Sequence, residues 1–123
     1  MKRCLKNSQM VVMLNQLRPL LPRRDKIGYA AARNYRILAE SLTEYELFRN
    51  SLMEKYGEPD RDENGKPIMQ IKIGSPNFKA FCDELTPFNE MEHEVELMTM
   101  KYEETIGCLT GEEILGIDWM LED

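Results

Sequence analysis

The residues able to do chemistry are few, and their spacing limits what they can do together. There is a single histidine, His93, so Ser-His-Asp, Cys-His and multi-histidine metal chemistry would all have to pass through it. Cys4, Cys82 and Cys108 are odd in number and form no C-x-x-C pair, which argues against a disulfide framework and a thiolate zinc site. Asp60-x-Asp62-x-Asn64-Gly65 reproduces the first half of an EF-hand loop. There, alternate carboxylates and an amide converge on Ca²⁺ because glycine permits the sharp turn. The position that needs a bidentate glutamate is Ile71, and Pro67 stands where a hydrophobic residue is usual. Asp60, Asp62 and Asn64 are the candidate metal ligands, but the pattern reads first as an acidic turn in which Asn64-Gly65 leads the chain into a strand.

Glu90, Glu92, His93, Glu94 and Glu96 form the densest acidic cluster. On a strand, Glu92, Glu94 and Glu96 share one face while His93, Val95 and Leu97 share the other, so the histidine does not converge with its nearest carboxylates. A charged outer face that discourages edge pairing is the plain reading. Arg18, Arg23, Arg24, Arg33 and Arg36 are the candidate nucleic-acid contacts, with Tyr29 and Tyr35 nearby for stacking. No helix-turn-helix, zinc or RNA-binding motif accompanies them. Pairing within the chain or with a partner protein is preferred, and nucleic acid is the alternative. Walker, dinucleotide-glycine, G-x-S-x-G and H-E-x-x-H patterns are all lacking. The expectation is a protein that is not an enzyme and needs no cofactor.

The elements that must position these residues follow from periodicity. Lys2 to Lys6 is a frayed start or a small edge strand. Asn7 or Ser8 can cap a helix whose Met10, Met13, Leu14 and Leu17 fall at helical spacing, and Pro19 and Pro22 end it, leaving Leu20 and Leu21 extended. From about Arg24 to Tyr56 there is no proline, and Gly57 supplies a stop. A seam of Ile27, Ala31, Asn34, Leu38, Ser41, Tyr45, Phe48 and Leu52 advances in steps of three and four, which predicts one coiled-coil-like helix with Asn34 setting register. Such a helix would be ~50 Å long, in a chain whose compact globule is only ~35 Å across. Leu38, Tyr45, Phe48 and Leu52 are therefore the expected interaction residues, covered by a partner, most simply in a two-fold homodimer.

Beyond Gly57 the spacing predicts a polar turn, a strand over Ile68–Ile73, and a helix opened by Ser75-Pro76 and closed by Pro87. A second strand is expected from His93 to Tyr102. Thr110 with Glu113 forms a capping box, Leu109 with Ile114 a hydrophobic staple, and Ile114, Ile117, Met120 and Leu121 the buried face of a last helix. The fold class is α+β: an N-terminal helical hairpin with one long coiled-coil-like helix, then a small β-α-β-α unit.

At 123 residues the chain has the size of a single domain, 1–123. Its net charge of −6 is divided unevenly. Residues 1–57, the helical part, hold eleven bases and five acids; residues 58–123, the mixed part, hold five bases and seventeen acids. Opposite blocks in one small domain are expected to neutralise each other, and a pI near 4.9 disfavours a dedicated DNA-binding domain. No apolar run approaches the ~20 residues that span a bilayer. Asn15 and Gln16 interrupt the best stretch, Met10–Leu17, and with it any signal peptide, so the cytoplasm is the expected location and no membrane partner is expected.

Two passages carry a resemblance. The first is Ser51-Leu52-Met53-Glu54-Lys55-Tyr56-Gly57-Glu58, leading through Asp62-Glu63-Asn64-Gly65 to a strand. The second is the tail, Glu94-Val95-Glu96-Leu97, then Leu109-Thr110-Gly111-Glu112-Glu113 and Trp119-Met120-Leu121-Glu122. Together with the early Leu-rich helix and the long basic-then-acidic helix they are similar to a family of small phage and prophage proteins of Gram-positive bacteria, a domain of unknown function. The resemblance implies a phage or prophage setting and brings no active-site residue. The function expected is a non-enzymatic protein-interaction or assembly protein in the host-cell cytoplasm. It would act through a long helix that self-associates as a homo-oligomer or docks on another phage or host protein. The alternative is a nucleic-acid-associated protein using the basic N-terminal half.

Overall fold

A computed structural model describes all 123 residues, and the fold is α+β. The chain divides into two compact units, one made of Met1–Leu42 with Glu92–Asp123 and the other of Thr43–Met91. The boundaries thus fall at Leu42 and Met91, where the charge pattern had placed one at Gly57.

The first unit is built on a pair of antiparallel strands from opposite ends of the sequence, β1 (Lys2–Lys6) and β4 (Glu92–Glu96). Lys2 lies opposite Glu96 and Lys6 opposite Glu92. The glutamate face therefore meets the basic strand, and cross-strand charge attraction favours the pairing that the sequence reading expected this face to discourage. Leu5, Val95 and Leu97 are buried. Next comes α1 (Asn7–Leu17), with the Lys6 N–H donating to Gln9 Oε1 at 2.8 Å and Met10, Met13, Leu14 and Leu17 turned inward. Leu20 and Leu21 are not extended: Pro19 sits in a 3-10 turn over Arg18–Leu20 that buries Leu20 and leaves Leu21 outside.

Helix α2 (Lys26–Ser41) begins where the Asp25 carboxylate accepts from the Gly28 N–H at 3.1 Å, satisfying one of the free donors of the first turn. A Cβ at Gly28 would lie 2.2 Å from the Arg23 carbonyl oxygen, so the approach of the connection to the helix requires glycine. Ile27, Ala30, Ala31, Asn34 and Leu38 form its buried stripe. After β4 the expected long strand stops. β4 ends at Glu96 with Leu97 still bonded to Met1, Met98 and Thr99 lie outside the ladder, and only β5 (Met100–Lys101) resumes, pairing in parallel with β6 (Leu121–Glu122). Between them α5 (Gly111–Gly116) opens with the expected capping box: Glu113 N–H donates to Thr110 Oγ1 at 3.2 Å and Thr110 N–H to Glu113 Oε1 at 3.0 Å. Ile117, Met120 and Leu121 are buried, whereas Ile114 is half-buried. This unit carries ten bases and twelve acids. The basic N-terminal segment and the acidic C-terminal one thus neutralise each other within it.

The second unit corrects the single long helix. Helix α2 ends at Ser41, Leu42 forms a turn, and a new helix, α3 (Thr43–Tyr56), starts at once. The Ser41 hydroxyl donates to the Ile37 carbonyl at 3.0 Å, and the Leu42 N–H is shared between the Leu38 and Ala39 carbonyls, tightening the last turn. Thr43-x-x-Glu46 is itself a helix-start pattern. Helix α4 (Pro76–Asn89) packs antiparallel to α3: Tyr45 Oη donates to Asn89 Oδ1 at 2.6 Å, Phe48 stacks on Phe88 with ring centroids 3.8 Å apart, and Lys55 reaches Glu84 at 3.3 Å. Ser75 caps α4 as expected, but Pro87 does not close it. That proline lies in the last turn, where the carbonyl left without a donor belongs to the exposed Asp83.

Between the two helices runs a hairpin of β2 (Glu58–Arg61) and β3 (Pro67–Gln70). Its turn holds Gly65 at φ 77°, the left-handed region that favours glycine. The strand expected over Ile68–Ile73 begins one residue early and ends at Gln70, leaving Ile73 exposed.

Candidate strand-edge site

The candidate interaction residues are covered by the chain itself. Leu38 is buried in the first unit; Tyr45 and Leu52 are buried in the second, and Phe48 is half-buried against Phe88. With no ~50 Å rod, the length argument for a covering partner chain falls away. Helices of sixteen and fourteen residues span only ~24 and ~21 Å.

The metal candidates do not assemble. Asp62 Oδ1 accepts from the Asn64 and Lys66 N–H groups, both at 2.9 Å, and so organises the hairpin turn. Asp60 belongs to β2 and accepts from the Arg61 N–H at 2.7 Å. Among the arginines, Arg23 chelates Asp25, Arg36 bonds Glu40 at 3.2 Å, and Arg18 and Arg33 lie over the rings of Tyr35 and Tyr29, each 5.9 Å from the centroid. Arg24 is exposed. The exposed Cys4 thiol donates to Glu92 Oε2 at 3.3 Å, and that carboxylate pushes the thiol above its ordinary value, away from the reactive thiolate. His93 is half-buried on the face shared with Val95, as the alternation predicts.

What the structure does bring together is the outer edge of β4 and the flank of α2. Leu97 N–H donates to Met1 O at 2.9 Å, and the Met1 ammonium donates to Leu97 O at 2.9 Å, so Met1 and Leu97 exchange both bonds. In an antiparallel ladder such pairs alternate. Arg3 with Val95 and Leu5 with His93 are therefore the other bonded pairs, and the backbone N–H and C=O of Glu92, Glu94 and Glu96 point away from β1. Met98 continues that outward series, and its groups are taken by a side chain. Asn34, with no exposed surface, donates from Nδ2 to Met98 O at 2.9 Å and accepts at Oδ1 from Met98 N–H at 2.7 Å. Its amide occupies the place that a residue of a third strand would fill.

Beyond that lock the edge is open. Between Glu94–Glu96 and the α2 residues Arg33, Ile37, Glu40 and Ser41 lies a groove of about 520 Å³. Asn34 to Ser41 rises about 10 Å along the helix, and Met98 to Glu94 about 13 Å along the strand, so helix and edge are matched in length. Glu40, Glu94, Glu96 and Arg33 are among the residues that line this groove, and Glu40 is bonded by Arg36. Glu96 lies 2.8 Å from the Met1 ammonium, which holds its carboxyl below the usual range. The seam spacing marks Asn34 as a register-setting residue and Ser41 as a further polar member, and gives no part to Ile37, Glu40 or Met98. The signal was present in the Asn34, Ile37, Ser41 spacing beside an alternating acidic strand, but nothing in the sequence says that the two elements are neighbours. Comparison with protein-family models, with curated proteins and with solved structures finds no match.

Proposed function

We propose that the chain is a non-enzymatic protein-interaction or assembly protein that takes an extended segment of another phage or host protein onto the outer edge of β4. One observation carries this reading: the backbone groups of Glu94 and Glu96 face a groove beside α2, directly after the point where the Asn34 amide completes the same edge at Met98. An extended peptide added there would bond main chain to main chain, with α2 as the far wall. Prophage origin belongs to the same proposal and rests on the sequence resemblance, and a cytoplasmic site of action rests on the interrupted apolar stretch Met10–Leu17. The arginine alternative has less support, because Arg33 shares its groove with Glu40, Glu94 and Glu96, which repel phosphate.

The test is binding, by fluorescence polarisation, of short labelled peptides that alternate valine with lysine, serine or glutamate. At least one should bind and lose binding when its backbone nitrogens are methylated at alternate positions. Glu94→Pro removes an outward N–H along with the Glu94 carboxylate and leaves the β1 ladder intact, so it should weaken binding about tenfold and more than Glu94→Gln, which keeps the N–H. If no peptide binds, or if methylation leaves binding unchanged, the proposal is wrong.

A further inference from the structure

We infer that the segment received by β4 is basic, with lysine or arginine at every second position; this rests on the strand-addition reading above. The pleat places Glu92, Glu94 and Glu96 on one face of β4. Across the inner edge that face already meets Lys2 and Lys6 of β1, which shows the kind of strand that β4 accepts. Across the outer edge a new strand would set its alternate side chains beside the same three carboxylates, while the facing wall carries Arg33 and a Glu40 already bonded to Arg36, so the preference is set by β4. Side chains of opposite sign directly across from one another stabilise a strand pair, and like charges destabilise it. The residues between them would turn toward Val95 and Ile37, where apolar groups fit.

A second copy of this chain is the competing occupant, since its own β1 is basic. Acidic β4 against acidic β4 is repulsive, and so is basic β1 against basic β1, so self-pairing would join unlike edges head to tail and grow without closing. Chains that grow in this way increase in mass with concentration, which a bound peptide does not cause.

The experiment uses the whole chain and the same labelled peptides. The lysine-valine peptide should bind at least tenfold tighter than the glutamate-valine one, and its affinity should fall as salt is raised. Glu94→Lys should narrow or reverse that order. If the glutamate or serine peptide binds as well as the lysine peptide and remains sensitive to backbone methylation, the strand-addition reading stands and the basic partner is wrong. A mass by light scattering that climbs with concentration, and falls when the lysine peptide is added, would identify the occupant as a second copy and overturn the inference. The methylated peptides keep the test decisive even if a Glu94 variant fails to fold.

Discussion

At the scale of single residues, the structure depends on polar side chains that stand in for backbone. Asn34 is the clearest: one amide N–H and the carbonyl oxygen stand at the spacing of a peptide unit and are both used on Met98, while Nδ2 also reaches Met120 Sδ at 3.6 Å. Asn34→Ala leaves those two groups without partners and should lower stability by about 2 kcal/mol or more, read by chemical denaturation. Asn34→Asp should be worse at neutral pH, because a carboxylate can accept from the Met98 N–H but has no proton for the carbonyl. Part of its loss should return in acid, and a defect equal at both pH values would contradict this role. Asp25 behaves in the ordinary way. The Arg23 guanidinium and then the Gly28 N–H hold its carboxyl below the usual range. The stability gained over Asp25→Ala is therefore complete above the ordinary carboxylate value of about 3.9 and is lost as the pH falls through the lowered one. Melts of both proteins at neutral and acid pH check this, with an undiminished gap in acid as the contrary result.

Among the elements, those set by local chemistry were legible and those set by partners were not. Ser75-Pro76, the Thr110–Glu113 box and the Asn64-Gly65 turn fall where the residues put them, because caps and turns are decided within four or five residues. The helix break at Leu42 was missed because the seam keeps its step through Ser41 and Tyr45, and periodicity does not register one residue leaving helical geometry. Ser41 and the Thr43-x-x-Glu46 pattern were the available warning. The three short strand pairs also escaped: β1 and β4, for example, are complementary in charge, but their partnership joins opposite ends of the chain. The pairing of α3 with α4 makes a direct prediction. A double-mutant cycle on Phe48→Leu and Phe88→Leu should give a coupling of about 0.5–1.5 kcal/mol, as for other stacked aromatic pairs. Additive effects would mean that the two rings do not stack in solution.

For the molecule as a whole, the division of charge becomes intelligible only once the topology is known. The basic start and acidic end of the sequence belong to one unit, and Thr43–Met91 is a separate insertion between them. The halves attract as expected, but the dividing line follows the fold and not the midpoint of the chain. The proposed interaction surface moves accordingly, from an apolar helix seam that the chain buries itself to a backbone edge whose side chains are charged. Such an edge is invisible to any search for exposed apolar stripes, since what it offers is main-chain hydrogen bonds. Amide hydrogen exchange resolved by residue tests this directly. In the free protein, Val95 and Leu97 should be protected by β1 and Met98 by Asn34, while Glu94 and Glu96 exchange freely; adding the lysine-valine peptide should slow those two amides and leave the others as they were. Glu94 and Glu96 already as slow as Val95 in the free protein, or unchanged with the peptide at saturation, would contradict the account.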